Sequence, residues 1–434
     1  MSYNFLYINP TTGAPIGWEP GTTIHYYVDP GSLGRLTNEQ ARTLIRAAMD
    51  IWENASPYAD VPHFQYEGLL PEDVDGTNYS SYVSRFSCNA SDLSSCSSQA
   101  QRDLKTVIIF DEQGIILSDE LCRIGSCRAW GGGGVFDNQH MLQGILVLSP
   151  DSATAIVGTA VHELGHMLGL AHPYLNQQLF INQNPGETEN ALLPVMEFAT
   201  SHVYGGSLQT LTTPNPDDIA GISVLYPSIE HPTASIRGKI FKSDGTPMTH
   251  VNVIARNIDD PLCEAYSFLS GRICEFAPTA EFCTEPADYN PEYMISGLPP
   301  GSYSLEVEEI ADTALARVIA PSLTNPFMDG DAEFWNEGDV ANEANTTMTT
   351  ISLVAGEIRD HIDITLNRNT VTDDRVKYIP FTAFTPGPGA RCPIAASADY
   401  PSMIGEQTQT QPPPQGTSQN LEAGSCSLIK AVSP

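Results

Sequence analysis

Positive charge is scarce in this chain. Twenty Lys and Arg stand against 52 Asp and Glu, a formal net charge of −32 at pH 7 over 434 residues. Nucleic acids and anionic lipid surfaces would both be repelled by such a surface, so neither is expected as a partner. Long apolar runs are missing as well. No stretch approaches the roughly 18 residues that a membrane span needs, and Met1-Ser-Tyr-Asn-Phe5 has neither the basic start nor the apolar segment of a signal peptide. The expectation is a soluble chain from which any export signal is already missing. Cysteine is sparse, at nine residues, and none has the close double spacing of a zinc ribbon. Cys88, Cys96, Cys122 and Cys127 form an even set, read as two disulfides with three possible pairings and hence an oxidising compartment. Cys263, Cys274, Cys283, Cys392 and Cys426 are five, so at least one thiol is left over or bonds another chain.

What the chain does have is one stretch around which the rest can be read, Val161-His-Glu-Leu-Gly-His-Met-Leu-Gly-Leu-Ala-His172. A chance match to H-E-x-x-H-x-x-G-x-x-H is on the order of 10⁻⁵ per chain of this composition. If residues 153 to 169 are one helix, Val157, Val161, Leu164 and Leu168 form an apolar stripe, with His162, Glu163 and His166 roughly opposite. His162 and His166 then lie one turn apart and can hold one metal ion, Gly169 can turn the chain back, and His172 can approach as third ligand. Three neutral ligands leave a fourth position for water on a single Zn2+, and Glu163 is placed as the general base.

The surrounding chain reads as alternating strands and helices. Residues 22 to 29 read as a strand, and Thr37-Asn-Glu-Gln40 as a capping box before a helix with Ala41, Leu44, Ile45, Ala48 and Trp52 on its buried face. His63–Glu67, Thr106–Phe110 and Gly144–Leu148 read as further strands, and Ser149-Pro150 as the start of the metal-binding helix. Trp130-Gly-Gly-Gly-Gly-Val-Phe136 is read as an edge strand that a peptide could pair with. Between the strands at 63–67 and 106–110, and again from 111 to 128, the chain carries Ser- and Cys-rich insertions that disulfides would fasten.

The His-Glu stretch resembles the zinc signature of the metzincin metallopeptidases, and among these the chain is most similar to the matrixins. Leu193-Pro-Val-Met-Glu197 resembles their Met turn, and Pro216-Asp-Asp-Ile-Ala-Gly-Ile-Ser-Val-Leu-Tyr226 their final helix. The resemblance implies that Met196 supports the zinc site by packing, and that Asp217 and Asp218 are structural, tying down the Met turn or the mature N-terminus. It also implies an insertion at 173 to 192. Phe198 stands where related families carry a tyrosine ligand, so no such ligand is expected. Only His140 stands where matrixins bind a second, structural zinc, and that ion is not expected.

After Tyr226 the pattern changes to alternating strands. Residues 235 to 241 and 251 to 256 read as a hairpin around Asp244-Gly-Thr-Pro247, with more strands at 293 to 307 and 361 to 366. The stretch 233 to 368 resembles the transthyretin-like β-sandwich of carboxypeptidase regulatory and collagen-adhesin B-type domains, which can bind surfaces but are mostly spacers, and the resemblance implies a spacer. Asp329, Asp331 and Glu333 alternate as Ca2+ ligands could, yet the glycine and distal Glu of an EF-hand loop are lacking. They are read as a solvated acidic loop, and Ca2+ has no clear motif to support it.

The expected architecture is therefore α+β. A metzincin catalytic domain at 1–230, with a twisted mixed sheet and a zinc-binding helix, precedes an all-β sandwich at 231–370 and a Pro/Gln/Ser-rich tail at 371–434. The expected activity is that of a secreted, monomeric zinc endopeptidase acting on protein or peptide substrates. The competing expectation is a surface-binding or adhesive protein whose metzincin-like scaffold is inactive.

Overall fold

The computed structural model describes residues 2–9, 12, 14–83, 88–89, 98–121, 129–137, 139–150, 156–174, 194–197, 212–249, 251–270, 292–310, 328–368, 374–380, 383–385 and 387–390. The chain is mixed α+β, with three sheets and few helices among the described residues. Its first part comprises Ser2–Phe5 (β1), Thr23–Val28 (β2), Asn38–Glu53 (α1), His63–Leu69 (β3), Cys88–Asn89 (β4), Gln99–Arg102 (α2), Thr106–Phe110 (β5), Ala129–Phe136 (β6), Met141–Leu148 (β7), Ile156–Met167 (α3), Leu170–Tyr174 (β8) and Pro216–Leu225 (α4).

Six of these strands form one sheet in the order β3-β2-β5-β7-β6-β4, in which only the β6–β7 pair is antiparallel. A strand buried on both faces needs a continuous apolar run, and β5 supplies one in Thr-Val-Ile-Ile-Phe. Ile108 and Phe110 enter the main core with α1 and α3, whereas Val107 and Ile109 enter a second cluster on the opposite face. That second cluster corrects the reading of the insertion. Ile116 and Leu117, in a π-helical turn at Ile116–Leu121, are buried there beside Ile145 and Val147, so this part of the insertion is anchored by apolar contacts. Helix α1 starts as its sequence indicates, with Thr37 accepting from Gln40 N–H and the Gln40 side chain returning to Thr37 N–H.

The second part comprises Ala234–Phe241 (β9), Asn252–Asn257 (β10), Ala265–Leu269 (β11), Glu292–Leu298 (β12), Gly301–Glu308 (β13), Glu333–Phe334 (β14), Ile351–Leu353 (β15), Ile358–Arg359 (β16) and Ile364–Thr365 (β17). Strands β9, β12, β16 and β17 make one sheet, and β10, β11, β13, β14 and β15 belong to another. A common core holds Ile236, Val253, Ile295, Leu305 and Val307. The expected hairpin of β9 and β10 does not form, because the two strands lie in different sheets. Its turn is present: Gly245 has φ +82° and Lys242 N–H donates to Thr246 O at 2.8 Å. Pairing continues for a short way beyond the turn, with Phe241 opposite Pro247 and Met248 N–H donating to Ile240 O at 2.9 Å, before the chain enters β10 in the other sheet.

Two further expectations are corrected here. Asp331 and Glu333 are not solvated, since Glu333 is 2 % exposed and both of its carboxylate oxygens lie 3.3 Å from Asn367 N–H. Burial, followed by the charge of Asp339, pushes the Glu333 carboxyl up to about 9. Residues 374 to 380, assigned above to the tail, run beside the sandwich: Glu309 N–H donates to Lys377 O, and Ile379 enters the core. Residues 391 to 434 lie outside the described residues.

The two parts are not joined merely by a linker. Strands β1 and β8 extend the sandwich sheet in the order β14-β13-β10-β11-β1-β8. Helix α4 is apolar on several sides, as a helix enclosed by protein must be. Ile222 and Leu225 lie in the first core, and Ala220 in the second.

Candidate metal centre

Helix α3 crosses the main core, with Val161, Leu164 and Leu168 buried in it. A helix C-terminus enclosed in protein needs partners for its last carbonyls. Trp18 Nε1–H donates to Met167 O at 2.9 Å, Tyr226 O–H to Leu168 O at 2.5 Å, and Leu6 N–H to Gly169 O at 2.9 Å. Trp52 Nε1–H donates to Val161 O at 2.7 Å, about two turns earlier. Gly169 has φ +107°, a backbone that side chains resist, and it turns the chain from α3 directly into β8. The predicted helix start at 153 lies outside the described residues.

That turn brings three imidazoles together. His172 Nε2 lies 3.2 Å from His162 Nε2 and 3.1 Å from His166 Nε2. Nitrogens each about 2.0–2.1 Å from a common tetrahedral ion would be roughly 3.3 Å apart, so the spacing matches a shared metal. The other ring nitrogens are oriented by backbone: His162 Nδ1–H donates to Val195 O and His166 Nδ1–H to Leu170 O, both at 2.7 Å. With Nδ1 carrying the proton, each Nε2 presents its lone pair to the cluster. Burial keeps these rings neutral. It drives His162 down to about 4, against the opposing Val195 carbonyl, and holds His166 and His172 well below the usual range, aided by the neighbouring imidazoles. Neutral imidazole is the form that binds metal. Among the described residues this is the one group of His, Cys, Asp or Glu side chains close enough to hold an ion.

Glu163 is buried beside His162, and the backbone N–H of Gly131 in β6 donates to its carboxylate. Burial raises this carboxyl to about 8, which the Gly131 bond partly offsets. Close approach of β6 to α3 requires glycine at 131, because a Cβ there would overlap Glu163 O. Gly165 meets the same requirement against Met196, whose Sδ occupies the space a Cβ would take. Met196 is thereby packed against the face of α3. Its turn is fastened by Asp218, whose carboxylate accepts from Val195 N–H at 2.8 Å and Met196 N–H at 3.3 Å. Burial lifts Asp218 to about 7, opposed by donors including Asn215 N–H. Asp217 turns the other way and accepts from Ser267 N–H of β11 at 2.7 Å.

The structure thus brings together His162, Glu163, His166, His172 and Met196, all five residues singled out from the sequence. The edge reading of β6 needs amendment. Two-residue β4 pairs at Val135 and Phe136, and Gly133 bonds through both N–H and C=O to the hydroxyl of Tyr7. Tyr7, Trp18 and the Asp217–Ser267 bond carried no signal in the sequence, because each acts over more than 49 residues of chain. His140 lies at the surface near Asp137, away from the cluster. Phe198, the insertion from 175 onward and the sulfurs of Cys88, Cys96, Cys122 and Cys127 lie outside the described residues. No family model matches the chain, and no curated protein matches it.

Proposed function

We propose that this chain is a secreted zinc-dependent endopeptidase of metzincin type, most similar to the matrixins, which hydrolyses protein or peptide substrates. The observation that carries the reading is the convergence of three buried, neutral imidazole Nε2 atoms beside a buried carboxylate on the same helix. Structural zinc sites take four protein ligands, whereas catalytic ones keep a position open. A group of three histidines with no fourth candidate among the described residues fits the catalytic kind and argues against an inert adhesive scaffold.

Zinc held there would supply Lewis-acid polarisation of the scissile carbonyl and would lower the pKa of water to about 7. His162, His166 and His172 would hold the ion through Nε2, and the carbonyls of Val195 and Leu170 fix the orientation of the first two rings. The Glu163 carboxylate takes the proton of the attacking water and delivers it to the leaving amine. Gly131 N–H keeps one face of that carboxylate engaged, and Met196 supports the helix from beneath. Secretion is supported by the even set of four cysteines in the first domain. No described helix is long and apolar enough to cross a membrane.

The test is cleavage of an unfolded protein by the purified chain, with and without a zinc chelator, alongside Glu163→Ala. Chelation should abolish cleavage and added zinc restore it, while Glu163→Ala should keep close to one equivalent of metal and lose at least ~10²-fold in rate. Chelator-resistant cleavage, or a Glu163→Ala protein that loses its metal with its activity, would overturn the assignment.

A further inference from the structure

A spacer domain touches its neighbour little, and this sandwich does not behave as one. Two independent routes lead from it to the imidazoles. The first runs through β1. Tyr3 is buried in the sandwich core, where its hydroxyl donates to Ser296 O at 3.1 Å and accepts from Ser296 N–H at 3.0 Å. Its ring also meets Phe268 edge-on, with centroids 6.2 Å apart. On its other edge β1 pairs antiparallel with β8, Asn4 opposite Ala171 and Phe5 opposite Leu170. His172 follows Ala171 on that strand, and Leu170 O is the acceptor that orients His166. The position of one imidazole and the orientation of a second therefore depend on where β1 lies.

The second route runs through α4. Its first turn is held from the sandwich side by Ser267 N–H on Asp217 and from the catalytic side by Val195 and Met196 N–H on Asp218. Val195 O is in turn the acceptor for His162 Nδ1–H. The same helix is seated against the sandwich by Gly297, which has φ +77° and lies so close that a Cβ would overlap the backbone of Ala220. Each ligand is thus referenced to the second domain through no more than a few contacts.

We propose that the β-sandwich is a structural part of the metal centre, and that Tyr3 and Asp217 are positioning residues through which it sets metal affinity. The proposal rests on the metal-binding reading above. Partners that orient metal ligands typically change affinity 10- to 100-fold when removed, and contacts one step further out fall at the lower end of that range.

The experiment is a Co2+ titration of the full chain, followed by its visible absorption, on wild type, Tyr3→Phe, Asp217→Asn and Tyr293→Phe. Tyr293 is the control. It also loses a buried hydroxyl bond within the sandwich, to Ile362 O, on the same strand β12 that carries Ser296 and Gly297, but by a bond to neither β1 nor α4, so it shows whether any loss on that strand suffices. Tyr3→Phe and Asp217→Asn should each raise the Co2+ dissociation constant about tenfold and alter the absorption band, with Tyr293→Phe unchanged. Folding is followed by circular dichroism. If Asp217→Asn does not fold, Tyr3→Phe, which keeps the ring, decides alone. A folded Tyr3→Phe with wild-type affinity overturns the proposal, as does a Tyr293→Phe that weakens binding equally, since general destabilisation would then suffice. Wild type that takes up no Co2+ overturns the metal reading together with this inference, whereas wild type that binds while Tyr3→Phe is indistinguishable from it overturns the inference alone.

Discussion

Glu163 and His162 are adjacent in the chain and buried together, yet burial moves their protonation in opposite directions. His162 falls from 6.5 to about 4, so in the metal-free protein its contribution is present above pH 6.5 and is lost as pH falls towards 4. Glu163 rises from 4.5 to about 8, so its contribution is present below pH 4.5 and is lost as pH climbs towards 8. Glu163→Gln removes only the second effect. In chelated protein the variant should therefore gain stability relative to wild type as pH rises above 4.5, and the gain should level off beyond about 8. Melting temperatures at pH 4.5, 6.5 and 8.5 measure this. A difference independent of pH would mean that the Glu163 carboxyl is not buried as described. Bound metal should shrink the effect, because a dication favours the ionised carboxylate.

At the scale of elements, α3 is held by side chains that come from far along the chain. Tyr226 O–H donates to Leu168 O and accepts from Trp18 N–H. Tyr226→Phe leaves a buried carbonyl and a buried amide without this partner, which should cost about 1–3 kcal/mol for each unsatisfied group. Chemical denaturation should show a lower midpoint at unchanged slope, and an unchanged midpoint would contradict the capping role. Elements of this kind also show what the sequence could reveal. Helix α1, strand β5 and the His-Glu helix were legible because capping boxes, apolar runs and ligand spacing are local signals. The partner of β9 was not, since turn residues specify a reversal of the chain and not the strand that lies beside it. Nor was the burial of Glu333, an acidic residue whose surroundings are assembled from Asn367 and Asp339 at a distance. Ile116 and Leu117 are anchored within an otherwise polar insertion, where their apolar character is the available signal. Local spacing was enough to single out the five residues that the fold brings together, while the residues that hold them, Tyr7, Trp18 and Asp217 towards Ser267, needed the fold.

At the scale of the whole molecule, α4 and β1 contribute to both parts of the fold and link the sandwich to the histidine cluster. The insertions that precede α3 carry the four cysteines read as disulfides. Since part of that region is anchored by Ile116 and Leu117, the bridges should contribute at the lower end of the usual range, about 2 kcal/mol each. Mass spectrometry of non-reduced peptides should find Cys88, Cys96, Cys122 and Cys127 paired among themselves. Mild reduction should lower the melting temperature with the metal retained, and four free thiols in active protein would contradict the extracellular assignment. The central claim, hydrolysis by a single ion held on His162, His166 and His172, is tested most directly by the rate of cleavage of an unfolded protein as metal-free chain is titrated with zinc. The rate should rise linearly and break at one equivalent. Cleavage that is already complete without added zinc, or a chain that binds one equivalent and never cleaves, would contradict it.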